Sequence, residues 1–135
     1  GLTGLNGIDF VLDGDTPYVL EINPRPTATV DLYDADVHGG MFCAHLRACR
    51  GELPVVNTTA QSRAHAIVYA RGTVRIPPSV DWPDWCTDLP QAGSTISAAA
   101  PVCSVHASAE SSEAARALVL ARRDAIQSLL WEKVA

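Results

Sequence analysis

The chain has 135 residues, 47% of them apolar and 19% charged, with a formal charge of −5. That composition suits one domain, or a piece of a larger one, with a real core, and it argues against wholesale disorder. No basic stripe with interleaved aromatics appears, which argues against a nucleic-acid partner, and no long apolar run or signal-peptide pattern points to a membrane. The four cysteines (Cys43, Cys49, Cys86 and Cys103) include no Cys-x-x-Cys pair, so reduced thiols in a cytoplasmic protein are the expectation.

Residues 7–13 alternate as a strand does, Gly14-Asp15-Thr16 is a turn signal, and residues 17–23 form a second strand, so a β-hairpin is predicted. Pro24 and Pro26 end it. Residues 38–50 read as a helix stopped by Gly51, and residues 53–61 as a linker. Residues 64–71 are strand-like. Residues 72–101, rich in Pro, Gly, Ser and Asp, read as a loop with short strand pieces, and residues 102–107 as a further strand. Trp82 and Trp85 are expected to pack that loop onto its own subdomain. Ser111 is a candidate N-cap with Glu113 in the first turn. Ala114, Leu118, Ala121, Ala125 and Leu129 then repeat at helical spacing to about residue 131, with Arg116, Arg122 and Arg123 largely off that stripe. The pattern is α+β: residues 1–52, a linker at 53–61, and residues 62–135.

A three-residue loop at Gly14, Asp15 and Thr16 would pair Leu12 with Tyr18, Phe10 with Leu20, and Ile8 with Ile22 on one apolar face. Phe10 and Leu20 would then be core, and truncating either to Ala would cost about 2–5 kcal/mol. On the other face Asp9 lands opposite Glu21, with Asn23 following. Two carboxylates directly across a ladder repel. The face could simply be solvated, one acid could take up a proton, or a divalent cation could sit between them. Mg²⁺ takes a few carboxylate oxygens and completes its shell with water and phosphate oxygens. Asn23 can add an oxygen, and Arg25 can offer a fork of donors to a phosphate or carboxylate.

The string Gly4-Leu5-Asn6-Gly7-Ile8-Asp9-Phe10, followed by Tyr18-Val19-Leu20-Glu21-Ile22-Asn23-Pro24-Arg25-Pro26, resembles the last strand pair of the ATP-grasp superfamily. Carbamoyl-phosphate synthetase large chains and biotin carboxylases end their nucleotide domains in a similar way. The resemblance implies that Asp9, Glu21 and Asn23 hold Mg²⁺ (or Mn²⁺) against the phosphates of ATP, and that Arg25 helps bind those phosphates or an acyl-phosphate intermediate. It implies a C-terminal portion of an ATP-grasp domain, a hairpin plus helices. A small strand-and-helix subdomain follows that resembles the C-terminal domain of biotin carboxylases.

The departures from those relatives are specific. Thr29 stands where biotin carboxylases carry a catalytic acid, and Ala28 where carbamoyl-phosphate synthetases carry an arginine. The bicarbonate-binding arginine would fall near Ala70, with Arg71 one place later, so a substrate role for Arg71 stays open. Predicted ATP-grasp carboligases are the remaining likeness. Superfamily members also clamp the nucleotide with lysines from earlier strands and a glycine-rich loop. Here the chain opens at Gly1 without methionine and its one lysine is Lys133. A missing N-terminal ATP-grasp portion is therefore expected, without which the chain would not bind ATP tightly.

His45 and Cys49 share a helix face at i, i+4, whereas Cys43 lies on another face, so a zinc site with His38 is disfavoured and both cysteines read as small buried hydrophobes. Cys103 and His106 point to opposite faces of their strand, which disfavours a catalytic pair. Asp31, Asp34 and Asp36 read first as a solvated acidic helix end. Two functions follow. One is a fragment of an ATP- and Mg²⁺-dependent ligase that activates a small carboxylate as an acyl phosphate for attack by a nucleophile such as an amine. The other is a non-catalytic module serving homodimerisation or partner binding.

Overall fold

Gly14, at φ 58°, reverses the chain between strands β1 (Gly7–Asp13) and β2 (Thr16–Asn23). The computed structural model in which this is seen describes residues 1–57 and 59–131, so Lys133 lies outside the described residues. The chain divides into two compact units, Gly1–Thr59 and Ala60–Ala135. The architecture is α+β, with antiparallel sheets and helices. Among the described residues no helix is long and apolar enough to cross a membrane.

In the first unit the connection between β1 and β2 has two residues, not three. Asp13 pairs with Thr16, Leu12 with Pro17, Val11 with Tyr18 and Phe10 with Val19. Glycine at the first position of a two-residue turn takes the positive φ that other residues resist. The expected pairs Leu12–Tyr18 and Phe10–Leu20 therefore do not form. A bulge between Asp9 and Phe10 then shifts the register by one residue at Leu20, and Asp9–Glu21, Ile8–Ile22 and Gly7–Asn23 pair as expected. The apolar residues of the hairpin are not core: Phe10 is 52% exposed and Leu20 68%.

A 3₁₀ helix (Val30–Asp36) leads into helix α1 (Gly40–Cys49). The junction is made by Gly39 and Gly40, both at positive φ. Asp34 Oδ1 accepts the Met41 N–H (2.7 Å), satisfying a first-turn donor that would otherwise lack a partner. Gly51, at φ 85°, ends the helix as expected, and its N–H donates to the Ala48 carbonyl. Asp36 is buried, so the acidic run is not uniformly a solvated face. Val37 forms an isolated antiparallel bridge with Val56.

In the second unit β3 (Ser62–Tyr69), β7 (Pro101–Ala109) and β5 (Cys86–Thr87) form an antiparallel sheet in the order β3-β7-β5. The two-residue strands β4 (Val74–Arg75) and β6 (Thr95–Ile96) pair separately. Helix α2 (Ser112–Trp131) packs on β3 and β7. Alternation along β7 puts Cys103, Val105 and Ala107 in one buried row. They join Val68, Ile76, Val119, Ile126 and Leu130 in the core, with Trp82 and Trp85 packed against it as expected.

Ser111 caps α2, its Oγ accepting the Ala114 N–H (3.2 Å). The backbone N–H of Glu113 and the hydroxyls of Ser112 and Ser111 hold the Glu113 carboxyl below its usual range. The buried stripe of α2 sits one residue beyond the expected one, on Ala115, Val119, Ile126 and Leu130. Both stripes are apolar at the same spacing. The one with larger side chains removes more area from water and faces the sheet. That rotation brings Arg122 inward. It donates to the His106 carbonyl, and its guanidinium lies 5.0 Å from the Trp85 ring centroid.

Candidate functional site

The bulge at Leu20 decides the geometry of the carboxylates. Continued from the two-residue turn without it, the ladder would set Glu21 opposite Ile8, on the face away from Asp9. Because side chains alternate, a one-residue slip moves a side chain to the other face. The extra residue restores Asp9 and Glu21 as direct partners. Both are exposed, so hydration relieves much of their mutual repulsion.

Asn23 sits at the end of the same row, half-buried, and its Nδ2 donates to Asp9 Oδ2 (3.3 Å). That bond orients the amide and leaves its oxygen, the atom suited to a hard cation, uncommitted by it. Gly7, opposite Asn23, is buried, and a Cβ there would lie 2.5 Å from Thr27 Cγ2. Thr27 thus closes over the end of the hairpin only because residue 7 has no side chain. The sequence reading missed this contact; the signal available was a glycine inside a strand.

Arg25 follows a tight reversal in which its N–H donates to the Asn23 carbonyl (2.8 Å). Its Nη1 donates to the Pro26 carbonyl (3.3 Å), so the exposed guanidinium rests on its own loop. Thr29 shares a hydroxyl hydrogen bond with Thr27 (2.9 Å). Arg71 is exposed, in the second unit, beside buried Ala70.

The donor set of the hairpin is two carboxylates and an amide oxygen, all hard. Among the described residues no group of three or more His, Cys, Asp or Glu side chains gathers to enclose a metal. The residues fit a Mg²⁺ ion that keeps several waters and takes its remaining ligands from a phosphate, and they do not fit a closed structural metal site.

Cys43 and Cys49 are exposed, which corrects their reading as buried hydrophobes; α1 buries only Ala44. Cys86 and Cys103 are the buried pair. Burial first, then the neighbouring Cys86 thiol, pushes Cys103 up to about 12, and burial also raises Cys86. Both are therefore protonated and poor nucleophiles. The Nε2 of His106 shares a hydrogen bond with Thr87 Oγ1 (2.7 Å), and its ring lies 5.2 Å from that of His65.

Residues 1–29 match the ATP-grasp domain family. The chain is also 32% identical, over 69 residues, to a formate-dependent phosphoribosylglycinamide formyltransferase from Syntrophotalea carbinolica. That alignment covers 50% of this chain and 18% of the enzyme, so the chain spans less than a fifth of that relative's length. Both findings support the ATP-grasp superfamily for this chain. No solved structure matches it.

Proposed function

We propose that this chain supplies the metal- and phosphate-facing edge of an ATP-dependent ligase that activates a small carboxylate. The observation that carries the reading is the bulge-set pairing of Asp9 with Glu21, with Asn23 bonded to Asp9 in the same row. A folded hairpin that spends a bulge on bringing two like charges together gains nothing from it in stability. A divalent cation held by these residues would offset that repulsion.

Asp9, Glu21 and Asn23 would hold Mg²⁺ (or Mn²⁺). The ion, when bound, neutralises charge on the phosphates during phosphoryl transfer. The guanidinium of Arg25 turns from the Pro26 carbonyl to a phosphate or to the acyl phosphate formed from the carboxylate. A nucleophile such as an amine then displaces phosphate. The matched relative is named as formate-dependent, and formate is itself a small carboxylate. Residues 1–52 form this edge. Residues 62–135 form an accessory subdomain of the biotin-carboxylase type. An N-terminal ATP-grasp portion supplies the lysine clamp on ATP.

Two measurements test the reading. In this chain, Mn²⁺ should broaden the amide resonances of Asp9, Glu21 and Asn23 before those of Asp31 and Asp34. In an ATP-grasp protein that contains the segment, Glu21→Gln should abolish ATP turnover with little change in stability. Full turnover in that variant would remove the metal role and leave the motif as the scaffold of a non-catalytic module.

A further inference from the structure

Helix α2 covers the face of the second unit's sheet that carries Cys103, Val105 and Ala107. Ser104 lies between the first two of these, so alternation turns its side chain to the other face. There it pairs with Ile67 on β3 and Thr87 on β5, and it is buried, at 5% exposure. A buried hydroxyl needs a hydrogen-bond partner. Ser104 finds one just past the end of β5, where its Oγ donates to Asp88 Oδ2 at 2.6 Å.

Asp88 holds that place in a strained backbone. Its φ of 53° lies in the left-handed region, which most residues with a side chain resist and Asp tolerates better than most. Strain of this kind persists where the surroundings hold it, and it gathers at binding sites. Here Asp88 and Ser104 line one cavity of about 270 Å³, whose other walls are Ile67, Pro101, Val102 and Cys103. The lining is mostly apolar.

The chemistry of the cavity narrows what it can take. A carboxylate is negatively charged and only accepts hydrogen bonds. One oxygen of Asp88 is engaged by Ser104, and among the described residues no cationic side chain is paired with the group. A fitting ligand therefore brings a cationic donor and an apolar body. An anion would be repelled, and a neutral alcohol would leave the charge unanswered. The volume falls just below the range of about 300–1,000 Å³ that suits drug-sized ligands, so the ligand is small.

We propose that this cavity binds a small primary alkylamine as its ammonium ion. The ammonium donates to the Asp88 carboxylate, and the alkyl chain packs on Ile67 and Pro101. Ser104 is a positioning residue that orients the carboxylate. The inference stands on the second unit alone and does not rest on the ligase reading.

The test is a titration of the full chain with n-butylamine at neutral pH, followed by amide chemical shifts. The amides of Ile67, Asp88, Val102, Cys103 and Ser104 should shift together and saturate, with a Kd of about 1–10 mM, as expected of so small a ligand. Butyrate, which has the same alkyl body and the opposite charge, should not shift them. 1-Butanol, which has no charge, should bind about fivefold more weakly, the scale of one partly exposed ion pair. Asp88→Asn keeps an acceptor for Ser104 and a residue that tolerates the left-handed backbone, and removes the charge. In that variant the Kd for n-butylamine should rise about fivefold, with the remaining amide shifts of the free protein unchanged. No saturable shift with n-butylamine, equal affinity for 1-butanol, or an unchanged Kd in Asp88→Asn would overturn the proposal.

Discussion

The second unit organises a three-stranded sheet and a 20-residue helix around buried Val68, Val105, Ile76 and Ile126. The first unit has strands of similar length but leaves Ile8, Phe10, Leu12, Leu20 and Ile22 exposed on its hairpin. The difference lies in what covers each sheet within its own unit. Helix α2 lies along β3 and β7, whereas β1 and β2 pair only with each other. Apolar alternation thus marks a face that can be buried, and a covering element decides whether it is. Order in the hairpin rests on local devices: a glycine turn and a bulge.

That contrast can be broken by mutation. The largest effect is expected from Ile126→Ala, at about 2–5 kcal/mol, because it opens a cavity in a closed core. Tryptophan fluorescence during urea unfolding reads it, since Trp82, Trp85 and Trp131 all pack on this core. Arg122→Ala should cost about 1–2 kcal/mol by the same assay, through loss of the bond to the His106 carbonyl and the stacking on Trp85. Ser111→Ala should cost about 1 kcal/mol through the lost cap. Phe10→Ala in the hairpin should cost under about 1 kcal/mol, as surface changes do, when followed by amide exchange in β1 and β2. A cost for Phe10→Ala equal to that of Ile126→Ala would mean that the hairpin is buried in solution.

The buried thiols give the second unit a pH dependence. Cys103 titrates near 9.0 when unfolded and at about 12 when folded. Between those values the unfolded chain has lost the proton and the folded chain keeps it. The stability tied to this thiol is therefore complete below about pH 9 and declines as pH rises toward 12. Urea midpoints should fall more steeply above pH 9 in the unsubstituted protein than in Cys103→Ala. Parallel slopes would show that the thiol is hydrated in the native state.

Much of this was legible in the residues. The hairpin, the stop at Gly51, the cap at Ser111 and the loop anchored by Trp82 and Trp85 each have a local chemical signal. The stripe of α2 was misplaced by one residue because an alanine-rich helix offers two apolar faces. Side-chain size, which spacing does not weigh, selected between them. The exposure of Cys43 and Cys49 depends on what surrounds α1, and no pattern within the helix encodes that. The Asp9–Glu21 pairing was expected from a three-residue turn and arises instead from a two-residue turn plus a bulge. The two routes give the same partners at the base of the hairpin and different partners near its tip.

The hairpin can accordingly be treated as a count. The chain between the two acids carries one residue more than a two-residue hairpin needs, and that residue can stand in the turn or in the ladder without changing which carboxylates meet. Straightening the ladder at full length would set Leu20 opposite Asp9 and send the side chain of Glu21 to the far face. Deleting Leu20 would instead remove the bulge and leave Asp9 opposite Glu21 in a straight ladder. Natural length changes that drop this residue should therefore drop the bulge with it and keep the carboxylates together.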